Sequence, residues 1–193
     1  MIDRTNPSFE LRGINHVALV CRDMAKTLEF YRDVLGMPLV KTIDLPGGAQ
    51  HFFFDVGNGD CIAFFWFPDA PPAAPGIAAP QALPGEGSFV NAHGALNHIA
   101  FNVAPDRFDA YYEKLKQRGI KVTPSMDHDD SEGTVAAQMH DGVYVRSVYF
   151  FDPDGVCLEF ATWLRPMYDN DVNTEPKMAN GKKAVGLVTG VAA

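Results

Sequence analysis

The chain has 193 residues, 47% of them hydrophobic, which suffices for one substantial core and leaves little room for two independent domains. A net charge of −8 with no basic cluster argues against nucleic acid as a partner. The opening Met1-Ile2-Asp3-Arg4 lacks a signal peptide's apolar core and no stretch has the length of a membrane span, so a cytoplasmic protein without a membrane partner is expected.

Residues 1–12 show no period and read as an N-terminal extension. A first module, 13–67, opens with an apolar strand over Ile14–Val20. A helix from Met24 to Leu35 follows, with Asp23 as N-cap and Gly36 as its stop. Met37–Ile43, Gln50–Val56 and Cys61–Phe67 then read as strands, broken by Pro46-Gly47-Gly48 and by Gly57-Asn58-Gly59-Asp60. Residues 68–94 are rich in Pro, Ala and Gly and form a loop too long for a plain connector, either functional or a disordered insertion. The second module, 95–165, opens with a strand over Leu96–Val103 and a helix that starts after Pro105 and is closed by Gly119. Strands are predicted over Ile120–Thr123, Thr134–His140, Val145–Phe151 and Val156–Thr162, with Asp152-Pro153-Asp154-Gly155 as a turn. Asp127–Glu132 reads as a solvated acidic loop, and 166–193 as a tail that wraps a partner subunit or stays loose. Cys21, Cys61 and Cys157 lie in apolar runs and are expected as buried, reduced thiols.

The two modules echo one another. Asn15-His16-Val17-Ala18 returns as Asn97-His98-Ile99-Ala100, and Cys61-Ile62-Ala63-Phe64 as Cys157-Leu158-Glu159-Phe160. A pseudo-twofold would pair His16 with His98 and Ala63 with Glu159. A single histidine on an apolar strand is more often a core residue than a ligand. Two at matched places, with a glutamate between Leu158 and Phe160, are costly to bury without a cation. Two imidazoles, one carboxylate and open positions opposite are the donor set of a non-haem Fe(II) centre.

On these residues the sequence resembles the vicinal oxygen chelate superfamily, which includes glyoxalases, extradiol dioxygenases, methylmalonyl-CoA epimerase and antibiotic-resistance proteins. The resemblance covers about 13–165 and implies an α+β fold of two βαβββ modules forming one cupped mixed sheet around a metal. It also implies His16, His98 and Glu159 as ligands. Glyoxalases and epimerases carry a fourth ligand where this chain has Ala63; the small one-domain extradiol dioxygenases use His, His and Glu alone. Their signature is matched by His140, Val148-Tyr149, Asp152-Pro153-Asp154-Gly155 and Glu159, although Gln138 departs from it. In family terms Tyr149 contacts a substrate oxygen on the metal and His140 flanks the pocket. The place of the family's acid/base histidine falls to Asp60, which could shuttle a proton if burial raised its pKa or could be a plain turn residue. His51 and His93 are its alternatives.

The expected activity is therefore a metal-dependent, extradiol-type dioxygenase acting with O2 on an aromatic or apolar vicinal diol. Fe(II) is the first choice of ion, with Mn(II), Zn(II) or Ni(II) as alternatives. Phe53 and Phe65 join Ala63 in lining the pocket, and the protein is expected as a homodimer. The alternative is a glyoxalase- or epimerase-like lyase or isomerase, and a third class is a ligand-sequestering resistance protein.

Overall fold

The computed structural model describes residues 14–174 and 178–180; the expected extension 1–12 and most of the tail beyond residue 174 lie outside the described residues. The internal repeat becomes two four-stranded mixed sheets of one topology. In the first, β1 (His16–Val20), β2 (Leu39–Asp44), β3 (Gln50–Gly57) and β4 (Asp60–Trp66) lie in the order β1-β4-β3-β2. In the second, β5 (Ile99–Asn102), β6 (Met126–His128), β7 (Val145–Phe151) and β8 (Cys157–Trp163) lie in the order β5-β8-β7-β6. The opening strand of each sheet runs parallel to the last and the other pairs are antiparallel. The chain between the strands of each parallel pair runs through a helix and two further strands, ample length for a parallel crossover. Within one chain the eight strands form two sheets rather than one continuous cupped sheet.

Side chains alternate across each sheet, so each has two unlike faces. Phe54, Ile62 and Phe64 of the first sheet and Val148, Phe150 and Leu158 of the second are almost wholly buried. They join Tyr31, Phe108 and Leu115 in one hydrophobic cluster that spans both modules. Each such side chain contributes roughly 1.5–3 kcal/mol. Polar ties cross the same junction: the Tyr31 hydroxyl donates to Asp152 at 3.1 Å, and the Arg22 amide donates to Asp154 at 3.0 Å. The opposite faces are open at their edge strands, where His16, Ala18, Val20, Ala100 and Asn102 are exposed.

Local sequence accounts for the joints. Asp23 caps α1 (Met24–Leu28) by accepting from the amides of Ala25 and Lys26. The expected single helix over 24–35 widens after Leu28 into a π-helical segment, Glu29–Val34, in which the Leu35 amide reaches back to the Phe30 carbonyl. This turn buries both Phe30 and Tyr31. Asn58 and Gly59, at φ of 57° and 84°, turn β3 into β4 with the positive dihedrals of a two-residue hairpin. α2 (Phe108–Gln117) forms as the spacing predicts.

Two predicted strands are corrected. Ile120–Thr123 contributes one isolated bridge, Val122 to Phe150, and Thr134–His140 forms no strand. Thr134 sits at φ 57°, left-handed backbone that breaks an extended run. The strand opposite β7 instead lies at Met126–His128, inside the stretch expected as a solvated acidic loop. Asp127 is held there by the Arg146 guanidinium through two hydrogen bonds of 2.6 and 3.1 Å, and Asp129 is buried. Of the three cysteines, all free, Cys21 and Cys157 are buried and Cys61 is half-buried. Among the described residues no helix is long and apolar enough to cross a membrane.

Candidate metal centre

The strand register places the two halves of the constellation on the open faces. Ala18 stands opposite Ala63 across β1 and β4, as Ala100 stands opposite Glu159 across β5 and β8. Ala63 and Glu159 are therefore equivalent positions. In the second module His98 and Glu159 meet, Nε2 to Oε2 at 3.1 Å. Glu159 is 5% exposed, and its other oxygen accepts from the Ser147 hydroxyl. Burial pushes its carboxyl up, but the hydrogen bonds from His98 and Ser147 outweigh burial and leave the pKa below the usual glutamate value.

The asparagine of each Asn-His pair has a defined task. The Nδ2 group of Asn97 donates to the carbonyl of Phe89 and to Asn91, which turns its Oδ1 toward His98. His98 Nδ1–H donates to that oxygen at 2.8 Å, and His16 Nδ1–H donates to Asn15 Oδ1 at 2.9 Å. A carbonyl oxygen accepts only, so each neutral ring keeps its proton on Nδ1 and presents a bare Nε2. This is how metal-binding histidines are oriented by their outer partners. It also sets His98 Nε2 against a carboxylate oxygen, so the pair is joined either by a proton on Nε2, which is the hydrogen bond that lowers the Glu159 pKa, or by a cation in its place. The donor set suits a divalent ion.

One chain does not gather all three expected ligands. Among the described residues, no three His, Cys, Asp or Glu side chains stand close enough to hold a metal. His16 lies on the first sheet, its ring 5.6 Å from that of Phe53.

Residues 13–160 match the family model described as the Glyoxalase/Bleomycin resistance protein/Dioxygenase superfamily. The chain belongs to this superfamily. Two relatives are the metallothiol transferase FosB of Lysinibacillus sphaericus and the fosfomycin resistance protein FosX of Listeria monocytogenes. FosB is 28% identical over 79% of this chain and 83% of its own length; FosX is 24% identical over 77% and 88%. A third is MhqE of Bacillus subtilis, whose name marks it as a candidate ring-cleaving dioxygenase. It is 28% identical over 75% of this chain and 46% of its own length. Among solved structures, a glyoxalase family protein from Enterococcus faecalis covers 79% of this chain and 99% of its own, at 23% identity and a TM-score of 0.55. A glyoxalase/dioxygenase from Nostoc punctiforme covers 86% and 100%, at 22% identity and 0.54. These two show the fold.

Around His98 and Glu159, this superfamily member arranges a polar wall. Tyr149, opposite Glu159 on β7, is 7% exposed; burial first and then the Glu159 charge raise its phenol pKa, so the hydroxyl keeps its proton. Cys157 is pushed up to about 12 by burial and by Glu159, which leaves a protonated thiol. The long loop is not a bare insertion: Leu83 is 1% exposed, and the Phe89 ring lies 5.8 Å from His98 and 6.0 Å from Tyr149. On the first sheet Ala63, fully buried, stands between Ala18 and Phe53, with Phe65 on the same face.

The other expected residues lie elsewhere. Asp60 alternates onto the face of Ile62 and Phe64, opposite to that of Ala63. His140, with a side chain 51% exposed, is tied by Nε2 to Asp129 at 3.0 Å. His93 is exposed in the loop, whereas His51 is buried on the open face with its ring stacked 3.6 Å from Phe65. Sequence reasoning missed Ser147, Phe89 and His128. Ser147 could have been found from its place two residues before Tyr149 on an alternating strand; the other two carry no local signal.

Proposed function

We propose that this chain is a metal-dependent, extradiol-type ring-cleaving dioxygenase acting on an aromatic vicinal diol. Its working unit is a homodimer in which His16 of one copy joins His98 and Glu159 of the other. The observation that carries the reading is the His98–Glu159 pair, aligned by Asn97 and Ser147 and without a third ligand beside it among the described residues. A second copy has what is missing, because its own His16 is exposed on an open sheet face with the same Nδ1-protonated tautomer. A divalent ion held there, Fe(II) for this reaction, supplies a Lewis-acidic centre that brings diol and O2 together.

The chain's own residues supply the remainder. Tyr149 carries a proton that burial makes hard to lose, so it donates a hydrogen bond to a substrate oxygen rather than removing a proton from it. Ser147 holds the Glu159 carboxylate in place. Ala63 leaves the equivalent position of the first sheet free of a ligand, and Phe53, Phe65 and Phe89 give an aromatic substrate an apolar wall. Relatedness to MhqE supports the same chemistry.

A second reading, group transfer to a small anionic substrate such as fosfomycin, is favoured by the FosB and FosX relatives and by Lys41, which pairs with Phe53 on the open face. Oxygen uptake separates the two. Anaerobically prepared, Fe(II)-loaded protein mixed with a panel of catechols should consume one O2 per catechol lost. Metal-loaded protein that consumes no O2 with any catechol, yet modifies fosfomycin in the presence of a thiol, would replace the first reading by the second.

A further inference from the structure

Among the described residues, three buried polar side-chain atoms have no hydrogen-bond partner: Nε2 of His51, Nε2 of His128 and Oγ1 of Thr162. A buried polar group left unpaired is costly, and native proteins keep few. Two of the three are ring nitrogens on the open faces.

His128 is the better defined. It ends β6, opposite Val145 and on the face that carries Met126, Ser147, Tyr149 and Glu159. Its Nδ1–H donates to the Thr134 carbonyl at 2.9 Å. That carbonyl is itself set in place: Thr134 sits at φ 57°, its amide donates to Ser131 at 2.9 Å, and the Ala136 amide donates to Asp127 at 2.7 Å. Because the carbonyl only accepts, the neutral ring must carry its proton on Nδ1, which leaves Nε2 a bare acceptor. The ring lies 6.5 Å from that of Tyr149 at 85°. One wall thus offers a protonated phenol and a bare imidazole nitrogen.

We propose that His128 is a substrate-contacting residue whose Nε2 accepts a hydrogen bond from a hydroxyl of the bound diol, so that the site selects ligands presenting a donor at that point. The inference rests on the vicinal-diol reading above. A diol bound as its monoanion has one oxygen that accepts and one that still donates. Tyr149 suits the first and His128 the second. His140, expected to flank the substrate, is committed to Asp129 instead. His51 packs on Phe53 and Phe65 but, among the described residues, makes no hydrogen bond that would fix its tautomer.

The test uses full-length protein with its histidine ring nitrogens labelled and loaded with Zn(II), which is diamagnetic; catechol is the probe. His128 is assigned by the signals lost in His128→Gln. Free protein should show the Nδ1-protonated tautomer, and catechol should shift the Nε2 signal toward that of a hydrogen-bonded nitrogen. His128→Leu should weaken catechol binding about tenfold, while His128→Gln, which keeps an acceptor, should stay within about threefold. An Nε2-protonated tautomer in the free protein overturns the proposal. Catechol binding that leaves the His128 signals unmoved overturns it and leaves the vicinal-diol reading standing. Metal-loaded protein that binds no catechol overturns both. If His128→Leu does not fold, the spectra of the unaltered protein decide.

Discussion

Where β8 carries Glu159, β4 carries Ala63, and the contrast extends across the open faces of the two sheets. His16 and His98 are alike down to the asparagine that sets their tautomers. Their surroundings differ. Tyr149 beside Glu159 corresponds to Phe53 beside Ala63, and Ser147 beside Ala161 corresponds to His51 beside Phe65. The duplicated part is the oriented imidazole. The divergent part is the carboxylate with its donors, which puts Glu159 and Tyr149 at the middle of one open face and Ala63 and Phe53 at the middle of the other. The faces turned away show no such split, since both contribute aromatic and aliphatic side chains to one core. Packing constrains both halves in the same way, whereas a site needs only one carboxylate.

The largest expected effect comes from separating the two walls. Glu159→Ala should abolish metal binding and turnover, because His98 loses the partner that makes a cation favourable there, and His16→Ala should do the same from the other sheet. If the site forms between copies, mixing the two inactive variants under conditions that exchange subunits restores intact sites. Random pairing makes half of the dimers mixed, and each mixed dimer has one complete set of ligands. Metal content and activity should then recover to about one quarter of the unaltered protein. No recovery after demonstrated exchange would mean that the walls of one chain serve each other.

A smaller effect tests the empty position directly. Ala63→Glu gives the first sheet the carboxylate of the second. The place of Ser147 is taken there by His51, whose ring is stacked on Phe65, so the new carboxylate is stabilised chiefly by an ion shared with His16. Metal should be retained or bound more tightly, while oxygen-dependent turnover falls by about a hundredfold as the open coordination position closes. A folded, metal-replete variant that consumes O2 at the unaltered rate would show that Ala63 is only a packing residue.

The comparison also explains what the sequence could reveal. The modules were legible because a repeat exposes itself: the Asn-His and Cys-x-x-Phe echoes fixed β1, β4, β5, β8 and their register, and the Asn-Gly and Asp-Pro-Asp-Gly turns fixed the hairpins. His98 and Glu159 followed from the same echoes. β6 was not legible, because three residues are too few to display a period, and its acidic Asp127 is neutralised by Arg146 from another strand. His128 was lost with it. His140 misled because a linear signature does not show that Asp129 holds its ring on the outside. The α+β class and the paired modules followed from the echoes as well; that each module keeps its four strands as a separate sheet did not, because sequence spacing does not show which strands hydrogen-bond.

The turns that lead into β4 and β8 provide the gentlest contrast. The first module turns β3 into β4 with Asn58-Gly59, whose backbone dihedrals suffice. The second uses the Asp152 side chain, which accepts from the amides of Asp154 and Val156 at 2.8 Å each and from the Tyr31 hydroxyl across the junction. Burial is the largest influence on this carboxyl and raises its pKa from 3.8 to about 6, against the pull of those three donors. The folded chain therefore holds the proton more tightly than the unfolded chain. This contribution to stability is fully present below pH 3.8 and is lost as pH rises through about 6. A shift of this size corresponds to about 3 kcal/mol. The stability of the unaltered protein relative to Asp152→Asn, which does not titrate, should fall by up to that amount over this window, read from denaturant midpoints at successive pH values. The same difference at both ends of the window would mean that the carboxyl titrates alike in the folded and unfolded chain, its three donors having offset burial. In that case the two turns would differ in geometry but not in their response to pH.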